Sequence, residues 1–223
     1  MQFIFEEDAK NEFLQIKDEN YNYLIKARRK KIGDEINIRN LSDDFLYRYK
    51  IVNVSKKDLS LELISKDEKS VEARKTLHLI WCVVDPKTIE KNIASLNELG
   101  VDKITFVYSE FSQKNFKINL ERLEKILVNS SSQCGRSSII KLELEDSFKN
   151  ILEKYKDLYI LDFSNSLIDE KKDSIATLLI GPEGGFSQNE RELFKEFNIV
   201  GFNSNIILKS ETALISASAK ILI

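Results

Sequence analysis

The sequence predicts an α/β protein in two parts, a small all-β domain over residues 1–70 and a parallel-sheet domain over residues 72–223. Three observations carry this reading. The first 70 residues hold short runs in which apolar and polar side chains alternate, the period of a half-buried strand. From Leu77 to Val84 the chain is almost continuously apolar, as a strand covered on both faces is. Beyond that run, strand-like and helix-like periods take turns, and such alternation builds a parallel sheet with helices on both sides.

In the amino-terminal part, Phe13–Ile16 is a short strand. Tyr21 to Arg29 reads as a short helix, and Gly33-Asp34 turns the chain after it. Glu35–Arg39 alternates, as does Phe45 to Val54, where Tyr47, Tyr49 and Ile51 share one face. Leu59, Leu61 and Leu63 then alternate with Ser60 and Glu62. Short strands with polar turns suggest a small barrel, either a nucleic-acid binder or a passive addition. The charged run Lys66-Asp67-Glu68-Lys69-Ser70 reads as a linker.

After the Leu77–Val84 strand, Ile89, Ile93 and Leu96 recur at helical spacing, and Gly100 caps that helix. Lys103 to Tyr108 is the next strand, and Asn119 to Asn129 is amphipathic through Leu120, Leu123 and Leu127. Past Gln133-Cys134-Gly135-Arg136 come a weak strand at Ile139-Ile140, a helix near Phe148–Leu152 and a strand from Leu158 to Phe163. The chain finishes with Ile206-Ile207-Leu208, then Lys209-Ser210-Glu211-Thr212-Ala213, and a helix rich in small residues over Ala213–Ala219.

One stretch organises this domain: Leu178-Leu179-Ile180-Gly181-Pro182-Glu183-Gly184-Gly185-Phe186-Ser187. An apolar run ends in a glycine loop, and Ser187-Gln188-Asn189-Glu190 is a capping box that starts a helix with Leu193, Phe194 and Phe197 on its apolar side. A turn at the carboxyl end of a parallel strand is where open α/β sheets bind ligands. A tight connection without a ligand explains the same spacing, so both readings stand. The loop is neither a phosphate-binding Gly-Lys-Ser/Thr loop nor a Gly-x-Gly-x-x-Gly fingerprint, and acidic Glu183 suits a neutral or cationic ligand better than a polyphosphate.

Composition narrows the class. With 42% hydrophobic and 31% charged residues, the 223-residue chain is an ordinary globular one. No apolar run approaches the ~20 residues that span a bilayer, and Met1–Asp8 lacks the basic and apolar regions of a leader peptide. The expectation is a reduced, cytoplasmic protein without a membrane partner. Cys82 and Cys134 match no ligand spacing, and His78 is the one histidine, so no metal is expected. Cys134 reads as a small buried hydrophobe and His78 as structural. A net charge of −2 argues against wholesale nucleic-acid coating. The run Lys26-Ala27-Arg28-Arg29-Lys30-Lys31 is nonetheless a local basic patch, either phosphate-binding or a solvated helix end.

Taken together, Ile180–Phe186 and Leu208–Ala213 resemble the two signature loops of the knotted SPOUT-class methyltransferases. Gln133-Cys134-Gly135-Arg136 and Asn97-Glu98-Leu99-Gly100-Val101 narrow the resemblance to small-subunit methyltransferase E, the bacterial family that methylates N3 of one uridine in 16S ribosomal RNA. Leu24–Asp34 resembles that family's PUA-like RNA-binding segment. Four positions depart from the family pattern: Tyr23 stands for a histidine, Gln2-Phe3-Ile4 lacks an arginine, Arg39-Asn40-Leu41-Ser42 replaces an Asp-Gly turn, and Lys209 replaces an arginine.

The resemblance implies a trefoil-knotted domain, a homodimer formed through the carboxyl-terminal helix (Ala213, Ser216, Ala217, Ala219) and S-adenosylmethionine as methyl donor. The donor's site is then Leu161, Ile180, Gly181, Pro182, Glu183, Gly184, Gly185, Leu208, Ser210, Thr212 and Ala213. Uracil N3 carries a proton that must leave at or before methyl transfer, and the base must be unpaired or flipped to expose N3. Glu211 is the candidate base or uracil-orienting group, or else a carboxylate placed to suit a helix dipole. Arg136 is the candidate for stabilising charge on the uracil oxygens, or else a phosphate contact. Lys26, Arg28, Arg29, Lys30 and Lys31 are the expected contacts to 16S ribosomal RNA or the small subunit. A relative acting on another base or a ribose 2′-oxygen, or a non-catalytic assembly factor, would share much of this pattern.

Overall fold

The computed structural model describes residues 2–223. They form two compact units, one running to Glu72 and including Ser131–Ile139, the other made of Ala73–Ser130 and Ile140–Ile223. The sequence reading runs the second domain unbroken over 72–223. The structure differs at Ser131–Ile139, which the backbone ties to the first unit: Ser137 N–H donates to the Val71 carbonyl (3.1 Å) and Val71 N–H to Ser137 Oγ (3.0 Å).

In the first unit, strands β1 (Ile4–Phe5), β2 (Phe13–Ile16), β3 (Glu35–Arg39), β4 (Phe45–Val54) and β5 (Leu59–Glu68) make one sheet in the order β1-β3-β4-β5-β2. β1 and β3 are parallel and the other pairs antiparallel. The alternation works as expected, since Tyr47, Tyr49, Ile51, Leu59 and Leu61 all point into one buried cluster with Ile36 and Ile38. Tyr49 is fully buried, so its hydroxyl needs a partner, and it finds the Ala9 and Asn11 carbonyls at 2.5 and 2.6 Å.

Two segments differ from what the sequence predicts. Lys66-Asp67-Glu68 is not a linker but the end of β5, paired with Tyr47, Leu46 and Phe45. Backbone pairing asks nothing of side chains that face water, and Lys66 also lies over the Phe45 ring at 5.6 Å. The predicted helix over Tyr21–Arg29 is a single α turn, α1 (Asp18–Tyr21), that widens into a π-helical turn over Asn22–Ala27. At the turn where the family pattern has Asp-Gly, Leu41 takes a left-handed φ of 56°. Asn40 Oδ1 compensates by accepting the N–H groups of Ser42 and Asp43 at 3.0 and 3.2 Å.

The second unit is a six-stranded, all-parallel sheet in the order β11-β9-β10-β6-β7-β8. Its strands are β6 (His78–Cys82), β7 (Lys103–Val107), β8 (Lys141–Glu145), β9 (Tyr159–Leu161), β10 (Thr177–Ile180) and β11 (Asn198–Val200). The connecting helices are α2 (Pro86–Leu99), α3 (Leu120–Cys134), α4 (Phe148–Lys154), α5 (Ile168–Lys171), α6 (Gln188–Leu193) and α7 (Ser210–Leu222). Gly100 closes α2 with φ +95°, and Ser187 and Glu190 form the expected capping box of α6.

Period-two alternation puts helices on both faces of this sheet. Ile80, Cys82 and Leu179 pack with Ile151, Leu152 and Phe194 on one side. Their neighbours Leu79, Trp81 and Leu178 are as deeply buried on the other, where α2 and α7 pack together. The weak strand expected at Ile139-Ile140 lies two residues later, at Lys141–Glu145. It is an edge strand of alternating charge, with Lys103 Nζ 2.7 Å from Glu143 Oε2, so its apolar signal is faint.

Candidate active site

Strands β11, β9 and β10 are neighbours and parallel, so the loops leaving their carboxyl ends emerge side by side. They are residues 161–167, 180–186 and 201–208, and all of them but Ser166, together with Arg191 of α6 and Ser210 and Ala213 of α7, line a cleft of about 760 Å³. This is the size of a small-molecule site, at the sheet edge where α/β folds place ligands.

Ser210 ties two of these segments together. Its buried hydroxyl donates to the Gly181 carbonyl (2.6 Å) and accepts from Trp81 Nε1–H (3.1 Å). A second tie joins the β9 loop to α6, where Arg191 Nε and Nη2 donate to the two Asp162 carboxylate oxygens at 2.8 and 3.2 Å. Asp162 in turn holds the Arg191 guanidinium above its ordinary pKa. Gly185 turns the chain with φ +70° and its N–H reaches the Pro182 carbonyl at 2.9 Å. That left-handed geometry favours glycine.

Of the residues expected to hold the donor, Leu161, Ile180, Gly181, Pro182, Glu183, Gly184, Gly185, Leu208, Ser210 and Ala213 line the cleft. Thr212 does not line it and is exposed. Of the 201–208 loop only Leu208 is expected from sequence, and residues 201–207 go unmarked because β11 is only three residues long. Gly201 was its one signal. A side chain there would put Cβ 2.6 Å from the Ser164 carbonyl oxygen, so only glycine lets the β11 and β9 loops lie this close. Ile206 and Ile207 stand at the cleft rim, 75% and 78% exposed.

Glu211 lies in the first turn of α7, and its Oε2 is buried without a hydrogen-bond partner. A carboxylate oxygen shut away from water and protein donors is costly unless something else supplies a proton or a donor. Arg136 belongs to the first unit, where it is buried with Nε 3.0 Å from Glu72 Oε2 and 3.1 Å from Ser138 Oγ. Cys134 is exposed, contrary to its reading as a buried hydrophobe, since it sits in the last turn of α3 with its side chain at the surface. Among the described residues no group of three or more histidine, cysteine, aspartate or glutamate side chains is placed to hold a metal, and no helix is long and apolar enough to cross a membrane.

The basic segment begins in the last two residues of the π-helical turn of the first unit and runs on past it. Lys26, Arg28, Arg29 and Lys31 are exposed, and Lys30 is half-buried with Nζ 3.2 Å from the Glu35 carbonyl. The segment is not loosely held. Arg28 Nε donates to the Tyr23 hydroxyl at 2.6 Å, with the guanidinium carbon 5.2 Å from the ring centre, and Arg29 takes a left-handed φ of 54°.

The family model described as an RNA methyltransferase domain matches residues 71–222, and that of an RNA methyltransferase PUA domain matches residues 16–64. The Ribosomal RNA small subunit methyltransferase E of Helicobacter pylori is 40% identical over 218 residues, covering 96% of this chain and 96% of its own. The chain belongs to the small subunit methyltransferase E family. A methyltransferase E from Rickettsia conorii is 28% identical over 92% of this chain and 86% of its own. Solved methyltransferase E structures share the fold: that from Neisseria gonorrhoeae, bound to S-adenosyl methionine, superposes with a TM-score of 0.82 at 20% identity, over 98% of this chain and 95% of its own. A predicted RNA methyltransferase from Thermotoga maritima gives 0.77 at 27% identity, over 99% and 96% of the two chains. The fold class is therefore that of the methyltransferase E family, a parallel-sheet SPOUT-type domain with a curled PUA-like sheet before it.

Proposed function

We propose that this methyltransferase E family member transfers a methyl group from S-adenosylmethionine to N3 of a uridine in 16S ribosomal RNA, in the cytoplasm. The observation that carries the reading is the three-loop cleft closed by Ser210. Its charges suit the donor. Asp162 and Arg191 neutralise each other, which leaves acidic Glu183 as the remaining charged lining residue. That balance tolerates a sulfonium and would repel a polyphosphate. Leu161, Ile180 and Leu208 supply apolar surface for an adenine, and the backbone groups of the 180–186 loop supply donors and acceptors for its edge.

When bound, the donor supplies an electrophilic methyl carbon on a cationic sulfur. The chain's own residues then have two tasks. The loops hold that carbon in line with the uracil nitrogen, a positioning effect that contributes most of the acceleration in such displacements. Glu211 accepts the N3 proton, or orients the base through it, with the Oε2 that lacks a partner in the free chain. The N-terminal position of Glu211 on α7 also suits a carboxylate by dipole alone, so its role needs a chemical test. Arg136 is assigned the second part, stabilising negative charge on the uracil oxygens. Arg28, Arg29, Lys30, Lys31 and Lys26 are assigned to RNA phosphates.

Two features come with the family reading: a trefoil-knotted carboxyl-terminal domain and a homodimer. The exposed Ile206, Ile207 and Ile223 are apolar surface that a second copy could cover. Sedimentation as a monomer at micromolar concentration would refute the dimer.

The central test pairs calorimetry with RNA analysis. The chain is expected to bind S-adenosylmethionine, and small-subunit RNA from a deletion strain is expected to lack one N3-methyluridine that the purified protein restores. A missing methyl group on a ribose or another base would reassign the target atom, and absence of donor binding would leave only an assembly role. Glu211→Gln is expected to keep donor affinity and lose most of the methylation rate. An unchanged rate removes Glu211 from the mechanism.

A further inference from the structure

We propose that Phe111, on the loop after β7, is the face against which the target pyrimidine stacks; this rests on the methyl-transfer reading above. Phe111 is a large apolar side chain that the fold leaves 53% exposed, and it does not belong to either core. It is also next to the donor loop. A Cβ added at Gly184 would lie 3.3 to 3.6 Å from the Phe111 Cβ, Cδ2 and Cγ atoms, so the aromatic side chain lies directly against that glycine.

The loop that carries Phe111 is fixed on both sides of it. Glu110 N–H donates to Glu190 Oε1 (2.8 Å), and Ser187 Oγ donates to Glu110 Oε2 (2.5 Å). Ser109 N–H donates to Ser112 Oγ (3.2 Å), and Ser112 N–H to the Ser109 carbonyl (3.2 Å). The capping box that starts α6 therefore has a second use: Glu190 and Ser187 hold the Phe111 loop as well as the helix end. An exposed aromatic in a well-anchored loop loses little entropy when a ring lands on it.

The residues just beyond Phe111 suit a single-stranded nucleic acid. Lys114 and Lys117 follow Phe111 in the chain and are exposed, and Lys114 Nζ is placed by the Ser109 carbonyl at 3.1 Å and by the Tyr108 ring at 5.5 Å. Aromatic faces with nearby cations are how proteins take unstacked bases and their phosphates. N3 lies on the uracil edge, so a base stacked through its face on Phe111 keeps N3 free to point along the ring plane. Phe111 is a positioning residue here. It makes no bond and moves no proton.

The test uses the full-length chain with Phe111→Ala, Phe111→Tyr and Phe111→Trp. Stacking losses of this kind predict that Phe111→Ala lowers kcat/KM for small subunits from a deletion strain about 5- to 150-fold. Donor affinity by calorimetry and the melting temperature should stay at their original values. Phe111→Tyr should restore most of the rate, which a purely structural defect at an exposed position would not require. In Phe111→Trp the added indole should be quenched by a single-stranded uridine-rich oligoribonucleotide, against the constant signal of fully buried Trp81. An undiminished kcat/KM in Phe111→Ala, or an unquenched indole in Phe111→Trp, overturns the assignment while leaving the methyl-transfer reading intact. Failure of the unaltered chain to bind S-adenosylmethionine overturns both.

Discussion

Replacing Ser210 by alanine tests the idea that one hydroxyl holds the cleft together. The change removes a single buried oxygen but strands two groups, the Trp81 indole N–H and the Gly181 carbonyl. A buried donor or acceptor left without a partner costs about 1–3 kcal/mol, with the carbonyl at the lower end because it has a second lone pair. The sum is roughly 3 kcal/mol, which for a chain of this size is a fall of about 6–12 °C in melting temperature. Loss of the tie also frees the 180–186 loop from α7, and the ordering cost then falls on ligand binding, weakening S-adenosylmethionine about tenfold. Calorimetric melting and titration read the two effects separately. Trp81→Phe removes the donor alone, so the double variant should cost clearly less than the sum of the singles. A melting temperature within about 1 °C of the original for Ser210→Ala would refute the reasoning, since no 3 kcal/mol penalty could hide there.

Other expectations concern single sites. Gly201→Ala drives a methyl into the Ser164 backbone, which cannot yield as a side chain does. It should cost at least ~2 kcal/mol and abolish donor binding, read by melting and titration. His78 is pressed down to a pKa of about 4 by burial and by nearby Lys103. The unfolded chain therefore binds the extra proton first, and stability is lost as pH falls from about 6.5 to about 4, with nothing lost above that window. The loss should be roughly 2–3 kcal/mol, and His78→Gln should remove that part of the pH dependence in urea melts. Neutralising Arg28, Arg29, Lys30 and Lys31 together should flatten the salt dependence of RNA binding by about 0.7 per lost contact on a single strand. Tyr23→Phe, which removes the Arg28 acceptor, should weaken binding a few-fold with the slope kept. Cys134 is exposed and Cys82 is fully buried with its thiol pushed well up by desolvation, so one thiol should react with a disulfide reagent before unfolding and two after.

Much of the sheet was legible because its strands advertise themselves. Leu77–Val84, apolar except for His78, and the apolar run Leu178–Ile180 became adjacent central strands, β6 and β10. Where the signal failed, the reason is physical. β8 is an edge strand with no fully buried residue: Lys141, Glu143 and Leu144 are exposed and Leu142 and Glu145 half-buried, so little apolar period marks it. β5 runs four residues past its last apolar position, Ile64, because pairing with Phe45–Arg48 is a matter of backbone hydrogen bonds. The assignment of Ser131–Ile139 to the first unit rests on Ser137, whose hydroxyl and N–H meet Val71 some sixty residues earlier, and no local period encodes such a contact.

The cleft divides along the same line. Its 180–186 loop carries residues chosen for their backbone behaviour, and glycine, proline and a capping box are visible in any reading of the chain. The 161–167 and 201–208 loops line it as well, yet apart from Asp162 and Gly201 they are built from serine, asparagine and apolar side chains that mark nothing by themselves. They matter because strands β9, β10 and β11 are neighbours, and adjacency is a property of the sheet order. Phe111 is the extreme case. From sequence it is one of thirteen phenylalanines. Only the placement of the loop after β7 against Gly184, through the two acceptors of Glu190, sets its side chain beside the donor loop and leaves it 53% exposed. A side chain the fold spends hydrogen bonds to hold in water calls for a ligand that uses it, and an unstacked base is the one that the proposed reaction must bring.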